Sequence, residues 1–302
     1  MYADNIAMTV SDNAIAARSM LVSITMRGWQ GRKLDRNVTD QINNSHHATS
    51  DAGRYNKPLL NPKAFRNITS IVGRIRSGFY QRTLPWMDDG QRIMSANAYG
   101  QFVNWFNTES VAFYAARDEF IADYPAFIAE RQLELGDMFN VQDYPAIDEL
   151  EHKFSLSRKI MPVPSGEDFR VDMAQAQVDL IRADIERDVA EAANHAMRDV
   201  YRRITEVTQR MADKLQNYKP AFRQGDKSEG VFRDTLVENI RDLVNVLPAL
   251  NITGDNGLYV LGKRMEALTR HDADELRRNS QLRHDVAEEA KAINDSISDF
   301  FA

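Results

Sequence analysis

Between Asp172 and Tyr218 the chain contains neither proline nor glycine, and no other feature limits its possible folds as strongly. An uninterrupted helix over that span rises about 1.5 Å per residue and is a rod of about 70 Å. Ordinary globular helices run to about 10–14 residues, so this one acts as a spine on which shorter elements pack. Val178, Ile181, Ile185, Val189, Ala193, Met197, Val200, Ile204, Val207, Met211 and Leu215 form its apolar stripe. Their mean spacing of about 3.7 residues is that of a nearly straight helix rather than the 3.5 of a left-handed coiled coil. The stripe therefore keeps one face toward one core.

The polar face offers Asp199 with Arg203 and Glu206 with Arg210 at i,i+4. Acids concentrate in the first half of the span and bases in the second, which suits the helix dipole. In a chain of 302 residues, 43% hydrophobic, there is ample material for one large domain or two small ones. The motif-bearing part is expected to occupy 1–218 and the C-terminal helices, packing on the spine, 219–302. Cysteine is absent, which removes disulfides, thiolate nucleophiles and thiolate metal sites together. The first twenty residues lack a basic stretch followed by an apolar one, and no window reaches 18 consecutive apolar residues. The expectation is a cytoplasmic protein with no membrane partner.

The net charge of −6 conceals an asymmetry: residues 1–100 hold 13 bases against 7 acids, and the rest hold 25 against 37. Either the basic third meets a polyanion or it packs on the acidic remainder.

Alternation from Met20 to Met26 reads as a strand, ended by Gly28-Trp29-Gln30-Gly31. A helix from about Asp35 to His46 follows, then a polar loop to Pro62. Asn61-Pro62 starts a helix reaching about Thr83. Another runs from Ser95 to Asp123, where Tyr124-Pro125 imposes a break or kink. Two shorter helices, about Pro125 to Leu135 and Asp143 to His152, precede a second alternating run from Phe154 to Ile160, extended again at Phe169 to Val171. This run is expected to pair with the first strand. The fold class is mainly α and elongated, with one very long central helix and a small antiparallel sheet of two or three strands. Lys219 to Gly230 reads as a linker, followed by helices at about Val231 to Val246 and Leu258 to Arg270. In the tail, Val286, Ala290, Ile293, Ile297 and Phe300 step as a heptad seam that packs on the spine or makes a homodimer.

Phosphate loops, the dinucleotide fingerprint, HExxH, the GxSxG elbow and the EF-hand loop are absent, so no catalytic residue, metal or cofactor is assigned. His46-His47 with Asp51, and Asp88-Asp89-Gly90, read as solvated turns before they read as metal ligands. One constellation mixes bases and aromatics: Trp29, Arg32, Lys33, Arg54, Tyr55, Lys57, Arg74, Arg76, Tyr80, Arg82 and Trp86. That mixture tracks phosphates and stacks bases. The alternative places Trp29 and Trp86 in the core with the bases solvated or paired.

The runs GWQGRKLDRNV, SDAGRYNKPLLNP, RTLPWMDDGQR and PVPSGEDFRVDM, in that order, resemble a family of uncharacterised bacteriophage and mobile-element proteins, a domain of unknown function. The resemblance covers about Leu21 to Leu215 and supplies no catalytic residues. It implies association with a MoxR-type AAA+ ATPase and a von Willebrand A domain protein, whose genes lie near those of the family. The expected function is a non-enzymatic phage accessory or adaptor subunit in the bacterial host cell. The alternative is single-stranded nucleic-acid binding through the basic third.

Overall fold

A computed structural model describes residues 12–87, 90–221 and 227–298. The described residues are mainly helical and include a very long helix where the spine was expected, with a second of 37 residues; their main sheet, however, has four strands rather than two or three. Element order is α1 (Asp12–Arg18), β1 (Ser19–Arg27), β2 (Arg32–Leu34), α2 (Arg36–Ser45), β3 (Asn56–Pro58), α3 (Arg66–Arg82), β4 (Leu84–Pro85) and β5 (Arg92–Ser95). After these come α4 (Tyr99–Leu135), α5 (Ile147–His152), β6 (Ser155–Pro162), α6 (Gln175–Gln216), α7 (Thr235–Leu250), α8 (Asn256–Leu268), α9 (Ala273–Arg278) and α10 (Ser280–Ser298).

The sheet runs β4-β5-β1-β6. Antiparallel β1 and β5 pair from Ser19 with Ser95 to Val22 with Arg92, and β4 sets Leu84 against Ile93. These two extra strands are two and four residues long, too short for alternation to betray them. A separate ribbon pairs β2 with β3, Arg32 opposite Pro58. The extension expected at Phe169 to Val171 is not a strand; a 3-10 turn at Gly166–Asp168 precedes it.

The chain divides into two compact units. The first comprises Met1–Ser23, Phe79–Phe102 and Lys159–Ala302, and the second Ile24–Gly78 and Val103–Arg158.

In the first unit α6 spans 42 residues, about 63 Å at the standard rise. Every position of its predicted stripe is buried or half-buried, and Val200, Ile204 and Met211 are fully so. Helices α7, α8 and α10 close this aliphatic core with Ile240, Met265 and Ile293. The tail seam thus packs on the spine within the same molecule, where Val286, Ala290, Ile293 and Ile297 are buried; Phe300 lies outside the described residues. Thr208 of α6 and Asn294 of α10 hydrogen-bond to each other, and the Asn294 amide donates to Gln209 at 2.9 Å, which sets the register of the two helices. On the polar face Arg203 pairs with Asp199 at 2.7 Å as the spacing required. Glu206 does not pair with Arg210; Arg202, lying between the two acids, takes both Asp199 and Glu206.

In the second unit the core interleaves aromatic rings with leucine and isoleucine. Phe65 stacks on Phe120 with centroids 5.1 Å apart, and Phe120 meets Phe154 edge-on at 5.6 Å. The break expected at Pro125 does not occur, for α4 runs straight through it. A mid-helix proline removes one backbone bond and costs about 3 kcal/mol. Burial of Phe120 and Tyr124 just before it, with Phe127 and Ile128 packed on the same core just after, offsets that cost. At Gly78 a Cβ would sit 2.7 Å from the Trp105 ring, so only glycine lets the two approach.

Candidate nucleic-acid interface

The second unit contains the richest collection of candidate residues. Its 24–78 segment holds ten bases and three acids, and its 103–158 segment holds four bases and eleven acids, so the unit as a whole is neutral. The basic third thus meets much of its acidic counterpart within one unit, and the useful question is which cations are left over.

Lys57 is not left over. It is 4% exposed, and its ammonium lies 2.7 Å from Asp143, 3.2 Å from Asp35 and 2.9 Å from the Met138 carbonyl, to which it donates. Burial pulls its pKa down, but the two carboxylates outweigh that and hold it above its ordinary value. Asp35, which caps α2, is held below its ordinary value by the Val38 backbone N–H first and by Lys57 next. Burial raises Asp143, and the bonds from Lys33 and Lys57 more than reverse it. Lys33 lies 2.8 Å from Asp143. Arg74 forks onto Glu109 at 2.8–3.1 Å, which raises its pKa.

The side chains of Arg32 and Arg76 form no ion pair or hydrogen bond among the described residues, and neither does that of Arg27. These three converge on one open groove of about 710 Å³. Its floor is Leu60, Phe65, Phe113 and Phe154, one wall is the Gly28–Gly31 turn carrying Trp29, and no acidic residue lines it. Gly31 has φ +60°, and a Cβ there would come within 2.6 Å of the Phe65 ring. The turn can lie against the floor only because that position is glycine. Trp29 is half-buried, held edge-on by Phe65 at 6.0 Å and by Tyr124 at 5.8 Å. The Tyr124 hydroxyl in turn donates to the Pro145 carbonyl at 3.1 Å, and burial pushes its pKa far up.

The predicted constellation is therefore divided. Trp29, Arg32 and Arg76 come together. Lys33, Lys57 and Arg74 lie in the same unit but are engaged by carboxylates. Arg54 is exposed and Tyr55 half-buried, and neither lines the groove. Arg82, Tyr80 and Trp86 belong to the first unit. Trp86, 1% exposed within the aliphatic core, and Lys57, buried in its ion cluster, were both expected as candidate nucleic-acid contacts, but neither side chain is presented at the surface. The Tyr80 ring carries the Arg92 guanidinium 4.6 Å from its centroid.

Sequence reasoning missed Arg27, Gln30 and Thr69. Arg27 could have been found, because it ends the alternating strand immediately before the glycine turn. Thr69 shares a helix with Arg76 but gave no signal of its own. His46, His47 and Asp51 lie on an exposed stretch, Asp88 and Asp89 fall outside the described residues, and no group of three metal-ligating side chains gathers among the described residues. No described helix is long and apolar enough to cross a membrane.

Comparison with family models, curated proteins and solved structures returns no match.

Proposed function

We propose that this chain is a non-enzymatic binding subunit whose second unit holds single-stranded nucleic acid in the arginine-bounded groove. The observation that carries the reading is that three arginines, with no ion-pair or hydrogen-bond partner among the described residues, surround an apolar, aromatic-floored groove lined by no carboxylate. Guanidinium groups left unpaired in a neutral unit are free to fork onto phosphate oxygens. Fluorescence anisotropy with a labelled single strand across a salt series tests it. Affinity falls steeply as salt rises, with a log–log slope that counts the phosphates contacted. Arg32→Glu with Arg76→Glu abolishes binding, whereas Arg54→Glu, outside the groove, leaves most of it. Equal binding by the double variant and the native chain would remove the groove from the account.

A second reading, the adaptor role implied by the family resemblance, has its own support. Val171, Met173 and Leu180, within ten residues of one another around the start of α6, are exposed large apolar side chains, with Leu180 at 69%, and exposed apolar groups suit a protein partner. The partner in this reading is a phage-encoded MoxR-type AAA+ ATPase, with a von Willebrand A domain protein as a further component, in the bacterial cytoplasm. Co-expression with such an ATPase followed by size-exclusion chromatography gives a complex that Leu180→Glu dissociates. Separate elution of the native pair counts against it.

A further inference from the structure

We infer that the groove is built for one unstacked nucleotide of a strand, with its base laid against Trp29 over the apolar floor and its flanking phosphates at the arginines. This rests on the nucleic-acid reading above and specifies what within the strand is recognised.

The floor carries the first part of the argument. A sugar-phosphate backbone alone is hydrated and gains nothing by covering Leu60, Phe65, Phe113 and Phe154, whereas a flat base removes that surface from water. Its volume of about 710 Å³ lies inside the roughly 300–1,000 Å³ range of clefts that take a single small ligand. A continuous stack of bases needs a long platform instead.

Trp29 carries the second. Its ring is held by two edge-on aromatic contacts before any ligand arrives, so stacking a base on it orders little that was free. The arginines carry the third. Arg27 and Arg32 stand at the two ends of the Gly28–Gly31 turn, and Arg76 comes from α3, so guanidinium groups from separate elements bracket the place where the base lies. Finally, the side chains of Gln30 and Thr69 line the same groove and make no hydrogen bond among the described residues. They are donors and acceptors for a base edge that Watson–Crick pairing would otherwise occupy. A base inside a duplex is stacked and paired, and extracting it costs a few kcal/mol, so the groove selects strands whose bases are already free.

The test uses the full native chain and three probes of equal phosphate count: a single strand of about 12 nucleotides, an abasic strand with deoxyribose and phosphate but no bases, and a fully paired duplex. The natural strand is expected to bind at least about fivefold more tightly than the abasic one, the lower end of what one stacked base contributes, and more tightly than the duplex. It also quenches tryptophan fluorescence, and the quench disappears in Trp29→Leu. That variant binds natural and abasic strands alike, while Trp29→Phe restores the preference. Equal binding of natural and abasic strands by the native chain, with the salt dependence intact, overturns this inference and leaves the nucleic-acid reading standing. A nucleoside triphosphate that binds as tightly as the strand overturns the assignment to a strand. Binding of none of the probes overturns both readings. The comparison of natural and abasic strands needs no substitution, so a misfolded Trp29 variant does not weaken it.

Discussion

The two units bury cores that differ in their share of aromatic rings. Along α6 the first unit packs valine, isoleucine, leucine and methionine contributed by helices, each with its own period. The second packs Phe106, Phe113, Phe120, Tyr124 and Phe154 against turns and helices far apart in sequence. The first unit carries the chain's excess of acids, while the second is neutral because its basic and acidic segments cancel. Net charge would point to neither unit as a polyanion site. The proposed site rests on the arginines that no carboxylate takes up, so charge pairing within a unit informs more than charge summed over a sequence.

Core truncations test this contrast most severely. Phe113→Ala in the second unit is expected to cost about 3–5 kcal/mol and Ile204→Ala in the first about 2–5. Hydrogen exchange followed by mass spectrometry should show protection lost chiefly in the unit that carries the change. Uniform loss across both units by either variant would break the division. Next comes the ion cluster. Lys57→Met leaves Asp35 and Asp143 facing each other largely buried, a loss of about 3 kcal/mol. Lys33→Met, at a side chain half exposed, costs less than about 1. Denaturant midpoints that rank the two in the opposite order would show that Lys57 is not the centre of the cluster.

The same cluster predicts a pH dependence. Both aspartates have folded pKa values below the ordinary 3.8, so their contribution is complete above that value. It is lost as pH falls below it and through the lowered folded values. Lys57 has the opposite sense, its raised pKa making a contribution that is complete below the ordinary 10.5 and lost as pH rises through the folded value. Thermal midpoints measured across pH should therefore decline at both ends, and Asp143→Asn should flatten the acid limb.

An effect smaller than that of Lys57→Met belongs to the first unit. The Tyr201 hydroxyl donates to Asp255 at 2.7 Å, and Asp255 also caps α8. Tyr201→Phe removes the bond to Asp255 and should cost about 1.5 kcal/mol, the lower end for a bond to a charged acceptor. A loss as large as that of Lys57→Met would mean that the first unit also depends on a polar lock.

The spine was legible because burial on one face of a helix repeats along the sequence, and Val178 to Leu215 mark that repeat residue by residue. The cap at Asn61 was legible for the same local reason: its side chain accepts from the Lys63 backbone N–H two residues ahead, a short-range event. The continuity of α4 through Pro125 was not legible, since local stereochemistry argued for a break and only aromatic packing from distant segments overrode it. The two short strands β4 and β5 escaped notice because two to four residues carry no period.

The candidate binding residues divide along the same line. Composition and order placed Trp29, Arg32 and Arg76 in a basic, aromatic third, as they equally placed Lys57 and Trp86. Which cations found carboxylates and which aromatic ring vanished into a core depends on partners far along the chain, such as Asp143 for Lys57. A sequence by itself determines what repeats along the chain, the helix stripe, its caps and its glycine turn. Tertiary structure alone decides which charges are cancelled across the chain, because Coulomb pairing and burial act through space and not through sequence separation.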